Sequence, residues 1–451
     1  MGEINGFASF MGNRNMYPYL TKALQEMSHR AWGGYLIESN ESIKVENSQE
    51  LLEKEIVTTT VSGYCLPIDF REEEVIRIHG NIYQNEGKDD FTKIVQKDMD
   101  PAKLAEYLRA VDGEYTLVFQ SNGEIFFARD PLGVKPLFIG RRNGLLGLAS
   151  EAKALRAVGL EPKSVSPGFV YCANLVSLQK FLIKRIERGK YLKVDLNEGA
   201  ETVLNLLKKS LKIRLKNRKI AIGFSGGLDS SLLALLSSQL TDIQLISVYA
   251  EGSRDEIDTK TSAASLGLDV IGICINEEWV KTMIKNISLL IEKQNSMDLA
   301  IGLAVNKVSS VACNAGCDGI ILGQLADELF GGYMKYLQAY KKRGPKVVQS
   351  MMVSDTQMAY KANFERDESA ASQFSELLLP YASFELAKYA LELHPSLKIN
   401  PENDSRKIVL KEAALKAGVP DKIIFKPKKA LQYSSNIQRL VEKLRPTLQK
   451  D

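Results

Sequence analysis

The chain has 451 residues, 45% apolar and 25% charged, with 59 lysines and arginines against 55 aspartates and glutamates. That is room for two or three domains, and a net charge of +4 is too small to carry nucleic-acid or membrane association by itself. Five scattered cysteines and three histidines fit a reducing compartment and leave no plausible set of ligands for a structural zinc, Cys313 and Cys317 included. The opening Met1–Phe10 lacks the basic-then-apolar pattern of a secretory signal, and no run of 18 apolar residues occurs anywhere. The expectation is a cytoplasmic protein with no membrane segment and no nucleic-acid partner.

In chain order, residues 1 to about 165 are rich in short β-like runs. Glu55–Val61, Tyr115–Phe119 and Glu124–Ala128 are examples, and Ser121-Asn122-Gly123 between the last two reads as a hairpin turn. This part predicts a layered α+β domain. Residues 166 to 195 read as a crossover with one or two strands, which sets expected domains at 1–195 and 196–451. Helical spacing begins near Glu201, with Leu204, Leu207, Leu211 and Leu215 on one face. The lysines and arginines along that helix, from Lys208 to Lys219, read as its solvated side rather than as an RNA-binding patch. From Lys219 strands alternate with helices: Ile220–Phe224, Ile243–Ala250, Val270–Ile275 and Gly319–Leu322. Alternation of this kind predicts a doubly wound parallel sheet, with a mostly helical stretch from about 334 onward.

The stretch Ser225-Gly226-Gly227-Leu228-Asp229-Ser230-Ser231 carries the chemistry. It lies between an apolar strand and the apolar helix start Leu232–Leu236, so it reads as strand, glycine turn, helix. Glycines allow positive φ and turn amides inward, and the helix amino end adds partial positive charge; together they make an anion cradle for phosphate or pyrophosphate. Asp229 is badly placed to face a phosphate directly, but it makes sense as a ligand of a Mg²⁺ that does. The kinase and GTPase motif G-x-x-x-x-G-K-S/T is absent. About a hundred residues later, Gly323-Gln324-Leu325-Ala326-Asp327-Glu328-Leu329-Phe330-Gly331-Gly332-Tyr333 comes directly after the strand Ile320–Leu322. Neighbouring strand ends of a doubly wound sheet converge on one crevice, so Asp327 is expected to reach the same metal; helix capping is the plainer alternative.

S-G-G-L-D-S-S followed by G-x-x-A-D-E-L-F-G-G-Y resembles the asparagine synthetase family, and the first motif alone is similar to the PP-loop of ATP pyrophosphatases. Ala128–Leu137 matches that family's A-R-D-x-x-G-x-K-P-L, and Ala149–Leu155 its A-S-E-x-K-A-L. The resemblance implies an amino-terminal domain of the Ntn-hydrolase type. It also implies a PP-loop synthetase domain that uses ATP and Mg²⁺ to adenylate a carboxylate, most simply aspartate, and passes it to an amine. Ser225, Gly226, Gly227, Asp229, Ser230, Ser231, Val248 and Gly323 are then expected to bind nucleotide, with Asp229 and Asp327 on the metal. Glu376, in Glu376–Tyr381, is implied to handle the attacking amine, although Leu378 stands where the family has arginine. Lys428, in Lys426–Lys429, is implied to face the pyrophosphate. A homodimer is an open possibility.

The first domain departs from the family where glutamine would be hydrolysed. The family opens with a cysteine whose own α-amine activates the thiol; here Asn5-Gly6-Phe7 stands there behind four extra residues. The family's R-G-P-D is Arg30-Ala31-Trp32-Gly33, and the glutamate of its N-G-E is Asn81. Asp89 alone of the glutamine-pocket residues could persist. The expectation is ATP-dependent amide formation from ammonia without glutaminase activity. The competing readings are a β-lactam-synthetase-like or other amine-accepting ligase, with Tyr333 or Tyr381 beside Glu376, and a non-catalytic ATP-binding paralogue. Gln324, at a usually acidic position, favours the last.

Overall fold

The computed structural model describes residues 2–39, 42–54, 56–66, 77–83, 100–121, 123–426 and 435–448. Two compact units divide the chain, Met1–Arg185 and Ile186–Asp451. The segment expected to close the first domain packs on the second instead: the Leu192 amide donates to the Glu392 carbonyl at 3.0 Å, and Gly189 abuts the Glu392 side chain.

The first unit holds strands β1 (Gly2–Ile4), β2 (Gly6–Gly12), β3 (Tyr35–Glu38), β4 (Ser42–Val45), β5 (Thr60–Cys65), β6 (Arg77–Tyr83), β7 (Asp112–Ser121), β8 (Glu124–Arg129), β9 (Phe138–Arg142), β10 (Leu145–Ala149), β11 (Lys163–Ser164), β12 (Phe169–Ala173) and β13 (Leu178–Leu182). They form a six-stranded sheet, order β1-β6-β7-β8-β12-β13, and a seven-stranded one, order β11-β9-β10-β2-β5-β3-β4. The period of two in β2 explains why all its residues are buried: Phe7 and Met11 join one apolar cluster while Ala8 and Phe10 join another. The first of these draws on both sheets, with Val118, Phe127 and Tyr171 from one and Leu146 and Leu148 from the other. The second includes residues of the helices Tyr17–Glu26 and Ala152–Ala157, and a third cluster packs the helix Pro101–Arg109 on β7, β8 and β12. The run predicted over Glu55–Val61 becomes a strand only from Thr60, because Thr58 and Thr59 use their carbonyls to accept from the Met16 and Gly12 amides.

The family-matching segment Ala128–Leu137 builds this fold. The buried Asp130 carboxylate accepts from the amides of Leu132, Gly133, Val134 and Lys135. The buried Arg129 guanidinium donates to the carbonyls of Gly133, Lys135 and Val165. Gly133 turns at φ 73°, a conformation open to glycine.

The second unit is built on a five-stranded sheet: β14 (Ile220–Gly223), β15 (Ile243–Ala250), β16 (Val270–Ile275), β17 (Gly319–Ile321) and β18 (Glu376–Leu378), in the order β16-β15-β14-β17-β18, every pair parallel. The first four match the sequence reading closely. β18 was not legible, being three residues in a stretch otherwise dominated by helices. The helix Leu196–Arg214 starts at Asp195, whose side chain accepts from the Glu198 amide, and buries Leu204, Leu207 and Leu211. A two-stranded ribbon of β19 (Ile399–Asn400) and β20 (Ser405–Arg406) precedes the helix Ile408–Ala417. Among the described residues, no helix is long and apolar enough to cross a membrane.

Beside β19, Lys398 is fully buried with the Met352 sulfur 3.9 Å from its Nζ. Burial, with no carboxylate partner among the described residues, lowers its pKa to about 7. Between pH 7 and 10 the unfolded chain then binds a proton that the folded chain does not, so stability rises with pH across that window, by on the order of 1 kcal/mol per pH unit at most. Lys398→Met is expected to flatten that slope and to raise the melting temperature at pH 7, as read by denaturation at a series of pH values.

Candidate active site

The sheet order makes the carboxyl end of β14 the switch point, where the chain goes first to β15 on one side and later to β17 on the other. Ligands of such sheets bind at that point. The loop after β14 is pinned from within: the Ser225 and Ser230 hydroxyls lie 3.1 Å apart, and the Ser230 hydroxyl also donates to the Gly227 carbonyl. Gly226 has φ 68°, and its carbonyl accepts from the Ser262 hydroxyl. Gly227 begins the helix Leu228–Ser238 with no side-chain cap, which leaves the first-turn amides to a ligand. Ser231 is fully buried, its hydroxyl unpartnered among the described residues.

Asp327 arrives from the neighbouring strand through a strained turn. Leu325, buried, takes φ 77°, a conformation that costs a side chain on the order of 1 kcal/mol. The chain passes so close to the first loop that a Cβ at Gly323 would lie 3.3 Å from that of Asp229. The Asp229 and Asp327 carboxylates meet at one point, marked by the Lys407 ammonium. Its Nζ lies 2.6 and 2.5 Å from the two Asp229 oxygens and 2.6 Å from Asp327 Oδ1. Burial works against the Lys407 charge, but the two carboxylates outweigh it and hold its pKa above the ordinary lysine value. Gly332 lets this group close, since a Cβ there would fall 1.8 Å from Asp327 Oδ1 and 2.4 Å from Lys407 Cε. Gly332→Ala is therefore expected to lower the melting temperature by several degrees, measured by calorimetry, while the chain still folds.

Asp229, Lys407 and the loop line a cavity of about 390 Å³, a volume suited to a nucleotide-sized ligand. Its far wall carries Arg406, Lys411, Phe425 and Lys426. Arg406 is held by a 2.6 Å bond to the Gly332 carbonyl, and Lys426 lies 3.1 Å from Asp258. Two carboxylates aimed at one cation position, beside amides that can hold phosphate, suit a Mg²⁺ whose remaining ligands are polyphosphate oxygens and water. Val248 is buried on β15, two residues past Ile246, whose carbonyl accepts from the Phe224 amide at the start of the loop.

The structure does not bring Glu376 to this group. In the parallel register Glu376 is level with Gly319 and Ile220, at the amino end of the sheet, and its carboxylate pairs with Arg218 at 2.5 Å. Four residues of strand, about 13 Å, separate that level from the loop. The role implied for it with the attacking amine is corrected on that ground. Tyr333 donates instead to Glu328, and the Tyr381 hydroxyl to the Asp229 carbonyl. Lys428 and Asp89 lie outside the described residues. Lys407 was not anticipated: no local pattern distinguishes it among 59 basic residues. Also unanticipated is a buried chain in which Gln324 donates to Asp367, and Arg366 bridges Asp367 to Asp298.

In the first unit, Asn5 is an interior residue of the chain. Its backbone amide donates to the Cys65 carbonyl and its side chain to the carbonyls of Arg30 and Leu66. The Arg30 guanidinium donates to the Asn5 carbonyl and to the buried Glu151, which His29 and Lys153 also approach. Cys65, next to this group, is fully buried, and burial pushes its thiol up to about 12.

Residues 202–347 and 340–450 match the asparagine synthase family model, and 73–157 a glutamine amidotransferase domain model. A Methanocaldococcus jannaschii protein described as a glutamine-hydrolyzing asparagine synthetase is 28% identical over 392 residues, 75% of this chain and 72% of that one. The human glutamine-hydrolyzing asparagine synthetase is 24% identical over 73% of this chain and 65% of its own. Among solved structures, the glutamine phosphoribosylpyrophosphate amidotransferase of B. subtilis overlaps 53% of this chain and 65% of its own at 14% identity, with a TM-score of 0.34. The protein is an ATP-dependent ligase carrying a glutamine amidotransferase-like domain. It belongs to the asparagine synthase family.

Proposed function

We propose that the protein adenylates a carboxylate, most simply aspartate, with release of pyrophosphate and transfers the acyl group to ammonia, without hydrolysing glutamine. The observation that carries this reading is the convergence of Asp229 and Asp327 on one cation position beside the amides of Ser225–Ser231. Bound there, Mg²⁺ would supply the charge that steadies the polyphosphate. The loop amides hold the phosphates, and Val248 and Gly323 border the nucleotide. A substrate carboxylate oxygen attacks the α-phosphorus and pyrophosphate leaves. Charge builds on the leaving group, and Arg406, Lys426 and Lys428 are the chain's candidates to offset it. Ammonia then attacks the acyl carbon and AMP departs. The absence of glutaminase activity is supported by Asn5, which offers neither a thiol nor a terminal amine, and by Cys65, whose thiol is held protonated.

The test is pyrophosphate release from ATP, Mg²⁺ and aspartate with either ammonium or glutamine. Turnover with ammonium alone supports the reading. Turnover with glutamine overturns its first-domain half, and ATP binding without pyrophosphate release overturns the choice of aspartate.

A further inference from the structure

Lys407 is built to aim at the two carboxylates. It takes φ 58° immediately before the helix Ile408–Ala417, its carbonyl accepts from the Lys411 amide at 2.8 Å, and its side chain is 5% exposed. A left-handed lysine is strained, so the surrounding contacts must hold it there. The ammonium thus stands at the position where both carboxylates would ligate a divalent cation.

Charge limits which cations can share this position. Two carboxylates and one ammonium sum to about −1; adding a divalent cation while the ammonium stays brings the group to about +1, with two cations repelling each other at short range in a partly buried site. The cation therefore enters favourably only if the ammonium moves away, and a polyphosphate supplies the negative charge that would receive it. Lysine's four-carbon stem allows such a movement without a change of backbone. We propose that the Lys407 ammonium and the divalent cation are alternative occupants of the Asp229–Asp327 carboxylate pair, so that the cation binds together with the nucleotide and not ahead of it. This rests on the reading of that site as a Mg-ATP site.

The test uses the full chain and the metal alone. Mn²⁺ is titrated by electron paramagnetic resonance without nucleotide into wild type, Lys407→Met and Lys209→Met, and melting temperatures are recorded with and without Mg²⁺. Wild type is expected to bind Mn²⁺ weakly and to gain at least about tenfold in affinity when a non-hydrolysable ATP analogue is present. Lys407→Met should bind Mn²⁺ at least about tenfold more tightly than wild type without nucleotide, and Mg²⁺ should return much of the melting temperature it loses, because a ligand of the folded state alone stabilises it. Lys209→Met, which removes an exposed lysine paired with Glu385 away from the cavity, should behave as wild type. Equal Mn²⁺ affinity in wild type and Lys407→Met overturns the proposal, as does equal tightening in Lys209→Met. Should Lys407→Met fail to fold, Lys407→Gln and the wild-type comparison with and without nucleotide analogue decide it. Tight Mn²⁺ binding by wild type alone overturns it too. These metal measurements involve no turnover, so a failed ligase assay with a positive exchange result would fault the proposed function and not this inference.

Discussion

Asp327→Ala is expected to lower ammonium-dependent pyrophosphate release by at least about 100-fold while leaving a folded protein. The lost carboxylate is one of two that meet at the cation position, and a metal's charge stabilisation in phosphoryl and adenylyl transfer amounts to several kcal/mol, enough for that factor. Mg-ATP should also bind more weakly, because Asp229 alone remains. The effect on stability is smaller. Lys407 keeps both its bonds to Asp229, and the Asp327 side chain is about one-fifth exposed. A loss of about 1–2 kcal/mol, a few degrees in melting temperature, is expected. Asp229→Ala should be more damaging on both counts, since it removes two of the three Lys407 contacts and alters the first turn of the loop helix. Pyrophosphate release within about threefold of wild type in Asp327→Ala would mean that the two carboxylates do not act as a metal pair.

How legible this site was in the sequence depended on how local each part is. The loop Ser225–Ser231 is one continuous strand–turn–helix, so its residues announced it. Asp327 was reached by one further step, because a strand directly before it places it at a strand end, and strand ends of such a sheet converge. Lys407 could not be found that way. What brings it to the carboxylates is a left-handed backbone at a non-glycine residue, 178 positions from Asp229, and nothing near it in sequence encodes that approach. Glu376 shows the converse error. A resemblance can match a residue type to a position, but the end of the sheet at which Glu376 lies is fixed by the register of β18 on β17. In the first unit the adjacent strand runs Tyr115–Phe119 and Glu124–Ala128 were legible, whereas the order of strands in its two sheets was not, since pairing partners such as Phe7 and Tyr64 lie far apart in the chain.

Asn5→Cys is expected to leave glutamine-dependent glutamate release at background, even though it restores a thiol at the family's position. A thiol needs a base, and in the family that base is the cysteine's own terminal amine. Here the nitrogen of residue 5 is a peptide amide donating to the Cys65 carbonyl at 2.9 Å, and it is preceded by β1, which pairs with Arg77–His79. No amine is available at that atom. The thiol would also sit beside carbonyls that now accept from the Asn5 amide group, surroundings that disfavour a thiolate. The Arg30 guanidinium is committed to Glu151 and the Asn5 carbonyl, and Asn81 gives an amide where a carboxylate would hold the substrate's ammonium group. Deleting residues 2–4 together with Asn5→Cys supplies a terminal amine once the initiator methionine is removed. It also removes β1 from its sheet and leaves Asn81 unchanged, so glutamate release should stay below about 1% of the ammonium-dependent rate. Each missing group acts on the same transition state, so restoring them singly is expected to return little. Glutamate release by the single Asn5→Cys variant would show that an internal residue can supply the base, and the first domain would then have to be read as one substitution away from an active glutaminase.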